Sequence, residues 1–369
     1  LELFHGPTLA FKDYALQVLG PLFDLVLARR GERITVLGAT SGDTGSAAID
    51  ACRDRQAIDI FVLFPSGRVS EVQRRQMTTV TSENVHNIAI DGTFDDCQDL
   101  VKRLFEDAPF RHRFRLAAVN SINWARIAAQ VVYYVHAALV LGAPDREVAF
   151  AVPTGNFGNV FAGYAAARLG VPIAKLIVGS NRNDILTRFF NTGRMEIDAV
   201  RPTLSPSMDI QVASNFERYL FELCDRDAAG VAALMRRLRK DGAFAVGAAQ
   251  FVRAREMFAA VRCDDEETKQ AIRAVYDESG ALVDPHTAIG IAAARAVVVP
   301  ADVPVVAIAT AHPAKLPDAV EAATGIRPPL PTRLADLLQR EERYEVLPAD
   351  AERLRVAISQ AMGARGVNA

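Results

Sequence analysis

The chain has 369 residues, 40.0 kDa, half of them hydrophobic, with a net charge of −2 and a pI near 6.4. Such a length can bury more than one core and predicts two lobes, while the near-neutral balance gives no footprint for nucleic acid or an anionic membrane. Four cysteines (Cys52, Cys97, Cys224, Cys263) lack close pairing or metal-ligand spacing, which points to a reduced, cytoplasmic setting and to no metal site. No apolar run is long enough to span a membrane and no secretory signal is present. The first residue is Leu1 rather than Met, so the chain reads as a piece lacking its natural start.

In chain order, the first notable stretch is Phe4 to Asp13, Phe-His-Gly-Pro-Thr-Leu-Ala-Phe-Lys-Asp. A lysine placed after a Gly-Pro turn and apolar residues is held against a wall, where its ammonium is poorly solvated and loses its proton more readily. Such an amine can attack a carbonyl and carry a Schiff base. The other lysines read as ordinary: Lys102 and Lys269 sit beside acids, Lys240 ends a basic helix and Lys175 opens a strand. Only Lys315, in Ala-His-Pro-Ala-Lys, shares an unusual context with Lys12.

Apolar spacing predicts a helix from Tyr14 to Arg29, stopped by Gly31, then a strand Ile34 to Leu37, a Gly-rich turn Gly38 to Gly45 and a helix to about Arg55. Strand and helix then alternate. Strands are predicted at Ile58 to Phe64, Val85 to Ile90, Leu116 to Val119, Glu147 to Val152 and Ile173 to Gly179. Helices are predicted at Val69 to Val80, Phe94 to Phe105, Trp124 to Leu141 and Phe157 to Leu169. Strands apolar on both faces, alternating with helices, predict an α/β protein with parallel sheets covered on both sides. From Asn181 to Phe221 the pattern is less regular, with a loop at Arg201 to Met208. Helices resume at Ala228 to Lys240, Ala249 to Phe258 and Asp265 to Ser279, and another follows Asp284-Pro-His-Thr287. A last strand, Val303 to Thr310, leads to the turn Ala311 to Pro317 and a proline-rich loop, Arg327 to Pro331. Helical pieces close the chain and fray at Gly363 to Ala369.

Two Gly-rich turns join a strand to a helix, Ser41-Gly42-Asp43-Thr44-Gly45 and Gly155-Asn156-Phe157-Gly158-Asn159. Free backbone N–H groups and the positive helix end converge at such turns and favour anions; each also serves as a plain tight connection. A dinucleotide fingerprint at the first turn wants an acid at the end of the next strand, but Pro65 and Ser66 stand there. Asn120-Ser-Ile-Asn-Trp-Ala-Arg126 opens the long helix. Its Asn and Ser suit caps, yet Arg126 falls in the first turn, against the helix dipole, where a bound anion accounts for it. Ala309-Thr310-Ala-His-Pro313 lies at the carboxyl end of the last strand, where open α/β sheets bind ligands.

With these residues in view, the chain resembles the threonine synthases, pyridoxal-phosphate enzymes of the tryptophan synthase β-subunit type (fold type II), over essentially its whole length. The likeness is carried by Phe4 to Asp13, Thr40-Ser-Gly-Asp-Thr-Gly45, Asn120-Ser-Ile-Asn123 with Arg126, Gly155 to Asn159, Asp284-Pro-His-Thr287 and Ala309 to Lys315. Thr203 to Val212, with Ser214-Asn-Phe-Glu217, resembles the long bacterial and fungal branch. The resemblance implies two open parallel sheets with helices on both faces, in a large cofactor-binding lobe of residues 1–33 and 146–369 and a small, mobile substrate-binding lobe of residues 34–145.

It also implies roles. Lys12 carries pyridoxal 5′-phosphate as an aldimine and then moves protons at Cα and Cβ. Gly155, Asn156, Phe157, Gly158 and Asn159 hold the cofactor phosphate, and Thr310 bonds the pyridine nitrogen. Asp43 stands where wider relatives often have Asn near the 3-oxygen, and a carboxylate there repels a phenolate. Ser41, Gly42 and Thr44 take the substrate carboxylate, while Thr44, Asn120, Ser121 and Arg126 take its phosphate. The implied reaction turns O-phospho-L-homoserine and water into L-threonine and phosphate, in a monomer or homodimer with no nucleic-acid or membrane partner. Another β-eliminating or β-replacing enzyme such as a dehydratase, or a silent relative, is the alternative. Two departures stand out: the family's amino-terminal segment is absent, and Leu316 follows Lys315 where an aromatic is usual, a packing change.

Overall fold

The computed structural model describes residues 1–364. The chain opens with α1 (Lys12–Arg30), β1 (Ile34–Ala39), α2 (Asp43–Cys52), β2 (Ile58–Pro65), α3 (Glu71–Thr78), β3 (Val85–Asp91), α4 (Phe94–Glu106), α5 (Ala108–Arg113) and β4 (Leu116–Ala117). It continues with α6 (Trp124–Val140), β5 (Val148–Pro153), α7 (Gly158–Arg168), β6 (Ile173–Ser180), α8 (Ile185–Thr192), β7 (Arg194–Glu196), α9 (Phe216–Leu223), α10 (Ala228–Asp241) and β8 (Ala243–Ala245). Then come α11 (Ala248–Met257), β9 (Phe258–Arg262), α12 (Asp265–Ser279), α13 (Pro285–Ala296), β10 (Val305–Ala307), α14 (Pro317–Thr324), β11 (Glu345–Pro348) and α15 (Ala351–Ala364).

These elements form two compact units, Gly6–Asn120 with Leu330–Ala369, and Leu1–His5 with Ser121–Pro329. The first holds a five-stranded parallel sheet in the order β11-β3-β2-β1-β4. Its central strand β2 is buried at every position, as a strand covered on both faces must be, which is why its sequence reads as a continuous apolar run. Leu354, Ile358 and Met362 of α15 join Leu100 and Leu104 of α4 and Phe110 of α5 in its core. The second unit holds a four-stranded parallel sheet, β10-β5-β6-β9, and a small antiparallel pair, β7-β8.

The predicted open parallel sheets are present, and the long helices fall within a few residues of their expected bounds. Other features differ. The helix expected through Phe258 stops at Met257, and the next residues pair with β6 as β9, because Phe258 turns to an extended φ of −113°. The irregular region contains α8, β7 and α9. The last strand of the second sheet is only Val305–Ala307. The compact units also depart from the expected division. Residues 12–30 and the tail from Leu330 belong with the first sheet, since β11 pairs with β3, and Gly20 brings α1 close to the Ala51 carbonyl of α2. Of the frayed end, Gly363 and Ala364 are helical, and 365–369 lie outside the described residues.

Candidate active site

In the first unit the segment leading to Lys12 is a closed turn. Asp13 accepts from the Thr8 amide (2.9 Å) and the Thr8 hydroxyl (2.6 Å), and Gly6 passes so near that a Cβ there would lie 2.5 Å from Asp13 Oδ2. Leu9 adopts φ 64° within this turn. The result sets Lys12 as the first residue of α1, with its side chain only 12% exposed.

Opposite it lies the first Gly-rich turn. The Thr40 hydroxyl accepts from the amides of Gly42 (2.9 Å) and Gly45 (2.8 Å), folding the turn back on the end of β1. Gly42 has φ 129°, which residues with a side chain rarely adopt, and a Cβ there would meet Gln73 Cδ at 2.5 Å and push it aside. Asp43, at the start of α2, accepts from Lys12 Nζ (3.4 Å) on Oδ2 and from Gln73 Nε2 (3.0 Å) on Oδ1. Gln73 Oε1 in turn accepts from the Ser70 amide as half of the α3 capping box, which fixes which end of the amide faces Asp43. Sequence reasoning brought Asp43 near the site but missed Gln73; its only signal was Ser70 three residues before it, the spacing of a capping box. The half-buried hydroxyls of Ser41 and Thr44 bond to no group among the described residues. Asn120 is exposed at the end of this unit.

In the second unit the turn after β5 is built as an anion cradle. Phe157 takes φ 63°, rare for a residue with a side chain, and its fully buried ring is held edge-on by Phe216 at 5.2 Å and tilted against Phe258 at 5.7 Å. Asn156 is stapled to the start of α9: its carbonyl accepts from the Asn215 amide (3.1 Å) and Nδ2 (3.2 Å), and its Oδ1 accepts from the Ser214 hydroxyl (3.2 Å). Gly155 and Gly158 allow the close approach, since a Cβ at either would lie 3.0 Å from Met208 Cα or 3.2 Å from Asn215 Nδ2. The backbone N–H groups from Gly155 through Val160 donate to no acceptor among the described residues. Asn159 is gripped by the hydroxyls of Tyr133 (2.6 Å) and Tyr134 (2.8 Å) at Oδ1, leaving Nδ2 a buried donor without a partner among the described residues. A row of unused amides at a helix N-terminus beside a buried donor fits a phosphate group.

Thr310 follows β10, next to β5 in the same sheet, so it and the cradle share one carboxyl edge. It is buried, and its hydroxyl has no partner among the described residues. The fully buried Lys315 lies in a short turn beyond it. At the start of α6, Asn123 caps the helix by accepting from the Ala125 amide, so neither Asn120 nor Ser121 is the cap. The Ser121 carbonyl is held by Asn215 Nδ2 at 3.1 Å. Arg126 is only 4% exposed, and its Nε and Nη1 have no partner among the described residues. Burial without a counter-charge lowers its pKa to about 10. A cation kept in such a place suits an anion that arrives from outside the chain.

A lysine in a closed turn of the first unit and, in the second, an amide cradle for phosphate with a hydroxyl at the same parallel-sheet edge are the parts that a pyridoxal-phosphate enzyme requires. The family model described as pyridoxal-phosphate dependent enzyme matches residues 1–311, and that described as threonine synthase, C-terminal, matches residues 287–358. The threonine synthase of Pseudomonas aeruginosa is 57% identical over 361 residues, covering 98% of this chain and 77% of that protein. The crystal structure of pyridoxal-phosphate-bound threonine synthase from Brucella melitensis superposes with a TM-score of 0.95 at 54% identity, covering 98% of this chain and 78% of the other. The yeast enzyme gives 0.92 at 41%, again covering 98% and 78%. The chain therefore belongs to the threonine synthase family of pyridoxal-phosphate dependent enzymes. It is a lyase of amino-acid biosynthesis whose cofactor is pyridoxal phosphate. No helix among the described residues is long and apolar enough to cross a membrane.

Proposed function

We propose that the chain converts O-phospho-L-homoserine and water to L-threonine and phosphate, and the observation that carries this reading is Arg126, a buried guanidinium with two nitrogens unpartnered. Bound pyridoxal phosphate supplies an electron sink that makes the substrate's Cα and Cβ hydrogens acidic. Lys12 holds the cofactor and, once released, moves protons at those two carbons. Asp43, locked by Gln73, is the acceptor toward which the Lys12 amine is oriented. The Gly155 to Asn159 amides bind the cofactor phosphate, and the Thr310 hydroxyl bonds the pyridine nitrogen. A neutral hydroxyl there, rather than an acid, leaves that nitrogen less protonated and disfavours transamination.

Ser41 and Thr44 hold the substrate carboxylate through hydroxyls that have no competing partner among the described residues, and Gly42, assigned with them, shapes the turn that presents them, its own amide being given to Thr40. Thr44, Asn120 and Ser121 are assigned with Arg126 to the γ-phosphate. Arg126 stabilises the charge that grows on that group as its bond to carbon breaks. A proton is delivered to Cγ, which becomes the methyl group of threonine, and water then adds at Cβ. A dehydratase acting on a substrate without phosphate would leave Arg126 unused. The four free cysteines, of which Cys52, Cys97 and Cys263 are buried, suit a cytoplasmic enzyme, and the small net charge suits a small-molecule substrate without nucleic acid, in a monomer or homodimer.

The test compares phosphate release from phosphohomoserine with ammonia release from threonine. We expect the first to dominate, Lys12→Ala to abolish both together with the cofactor's absorbance near the visible edge of the ultraviolet, and Arg126→Gln to lower kcat/KM for phosphohomoserine by about 10²–10³-fold. Ammonia release exceeding phosphate release would overturn the reading.

A further inference from the structure

The motif Asp284-Pro-His-Thr287 opens α13, and the mechanism above leaves it without a role. Asp284 is fully buried. Its Oδ2 accepts from the His286 amide (3.0 Å) and His286 Nδ1 (2.7 Å), and its Oδ1 accepts from the Thr287 amide (3.0 Å) and the Thr287 hydroxyl. Thr287 thus spends its one hydroxyl proton on Asp284. The Thr287 oxygen is thereby left as an acceptor, and the Thr310 amide donates to it at 3.3 Å. Donation runs one way, from the Thr310 amide to the Thr287 hydroxyl to the Asp284 carboxylate, within a single unit of the fold.

We propose that Thr287 is a positioning residue for the pyridine nitrogen of the cofactor, acting through Thr310. The inference rests on the reading of Thr310 given above and adds what holds it. Thr310 lies just past the short β10, next to Ala309, whose parallel bridge to Glu2 holds the preceding peptide through the Ala309 amide and carbonyl but leaves the Thr310 amide to find another acceptor. Thr287 is that acceptor, and its bond fastens the Thr310 amide itself, so that the Thr310 hydroxyl, which has no partner among the described residues, is presented from a backbone held on both sides. Fixing it matters because a hydrogen bond to a ring nitrogen is lost when its donor strays by about half an ångström.

The test measures binding to the cofactor-free protein, by fluorescence, of pyridoxal phosphate and of its deaza analogue, in which C–H replaces the pyridine nitrogen. Wild type should prefer pyridoxal phosphate by about tenfold, the worth of one buried hydrogen bond. Thr310→Val should erase that preference, Thr287→Val should remove most of it, and Thr287→Ser should keep it. If Thr287→Val retains the full preference while Thr310→Val loses it, the proposed ladder fails and the role of Thr310 stands. Equal weakening of both ligands by Thr287→Val, with the preference kept, makes Thr287 merely structural and overturns the proposal. If Thr310→Val retains the preference, the Thr310 reading fails and takes the proposal with it. Should Thr287→Val not fold, Asp284→Asn carries the same comparison: a reduced preference supports the ladder and an unchanged one overturns it.

Discussion

Arg126 holds a charge where the unliganded protein gains nothing from it. Its guanidinium is buried, Nε and Nη1 are unpartnered, and desolvation lowers its pKa to about 10. A base whose folded pKa is depressed costs stability wherever it is charged, so the cost is fully present at neutral pH and is relieved only as pH rises through about 10. Arg126→Met should therefore raise the melting temperature, corresponding to at least about 1 kcal/mol, while lowering kcat/KM. With pyridoxal phosphate filling the amide cradle, inorganic phosphate should raise the melting temperature of wild type and not of this variant, as thermal-shift titration would show. At Gly42, φ 129° and the Gln73 contact predict that Gly42→Ala displaces Gln73 and with it the lock on Asp43. A loss of about 1–3 kcal/mol is expected in denaturant titration, with weaker cofactor retention. The glycine was legible in the sequence, whereas its crowding by Gln73 was not, because Gln73 arrives from a separate helix, α3.

The tail is tied to α3, the helix that supplies Gln73. Glu342 accepts from Arg74 through Nε (2.8 Å) and Nη2 (3.0 Å) and from the Thr78 hydroxyl (2.7 Å), with Arg75 at 3.5 Å. The Arg74 hydrogen bond, chiefly, holds the Glu342 carboxyl below its ordinary value. A carboxylate with a depressed folded pKa adds stability that is present above the ordinary value near 4.5 and is lost as pH falls through the folded one. Glu342→Gln should thus cost about 1–2 kcal/mol at pH 7, and the gap to wild type should close in strongly acidic buffer, as urea titrations at the two pH values would report. Neither this tie nor β11 could be read from the sequence. Glu345 to Pro348 has mostly exposed side chains and no apolar alternation, so only its backbone pairing with β3 makes it a strand. The helices of the first unit were legible because their apolar spacing and caps are local signals, as at Ser70 and Thr93.

At the scale of the molecule, residues 6–120 and the tail from Leu330 make one unit, and the middle of the chain with Leu1–His5 makes the other. Deleting residues 330–364 would remove β11 and α15 and uncover the apolar faces of α4 and α5 that pack on Leu354, Ile358 and Met362. Each such loss costs about 2–5 kcal/mol, so the unit that carries Lys12 should no longer unfold cooperatively. Hydrogen exchange in β1 to β3 should then approach unfolded rates while β5 and β6 stay protected. The sequence by itself determined the alternation of strands and helices, the two glycine turns, the odd setting of Lys12 and, through the motifs, the family. These rest on spacing and residue type, which act over a few positions of chain. Tertiary structure decided that Asp43 pairs with Lys12 under the hold of Gln73, that Arg126 is buried without a counter-charge and that Thr287 grips Thr310. Each of these depends on groups far apart in sequence meeting out of water, which no local pattern encodes.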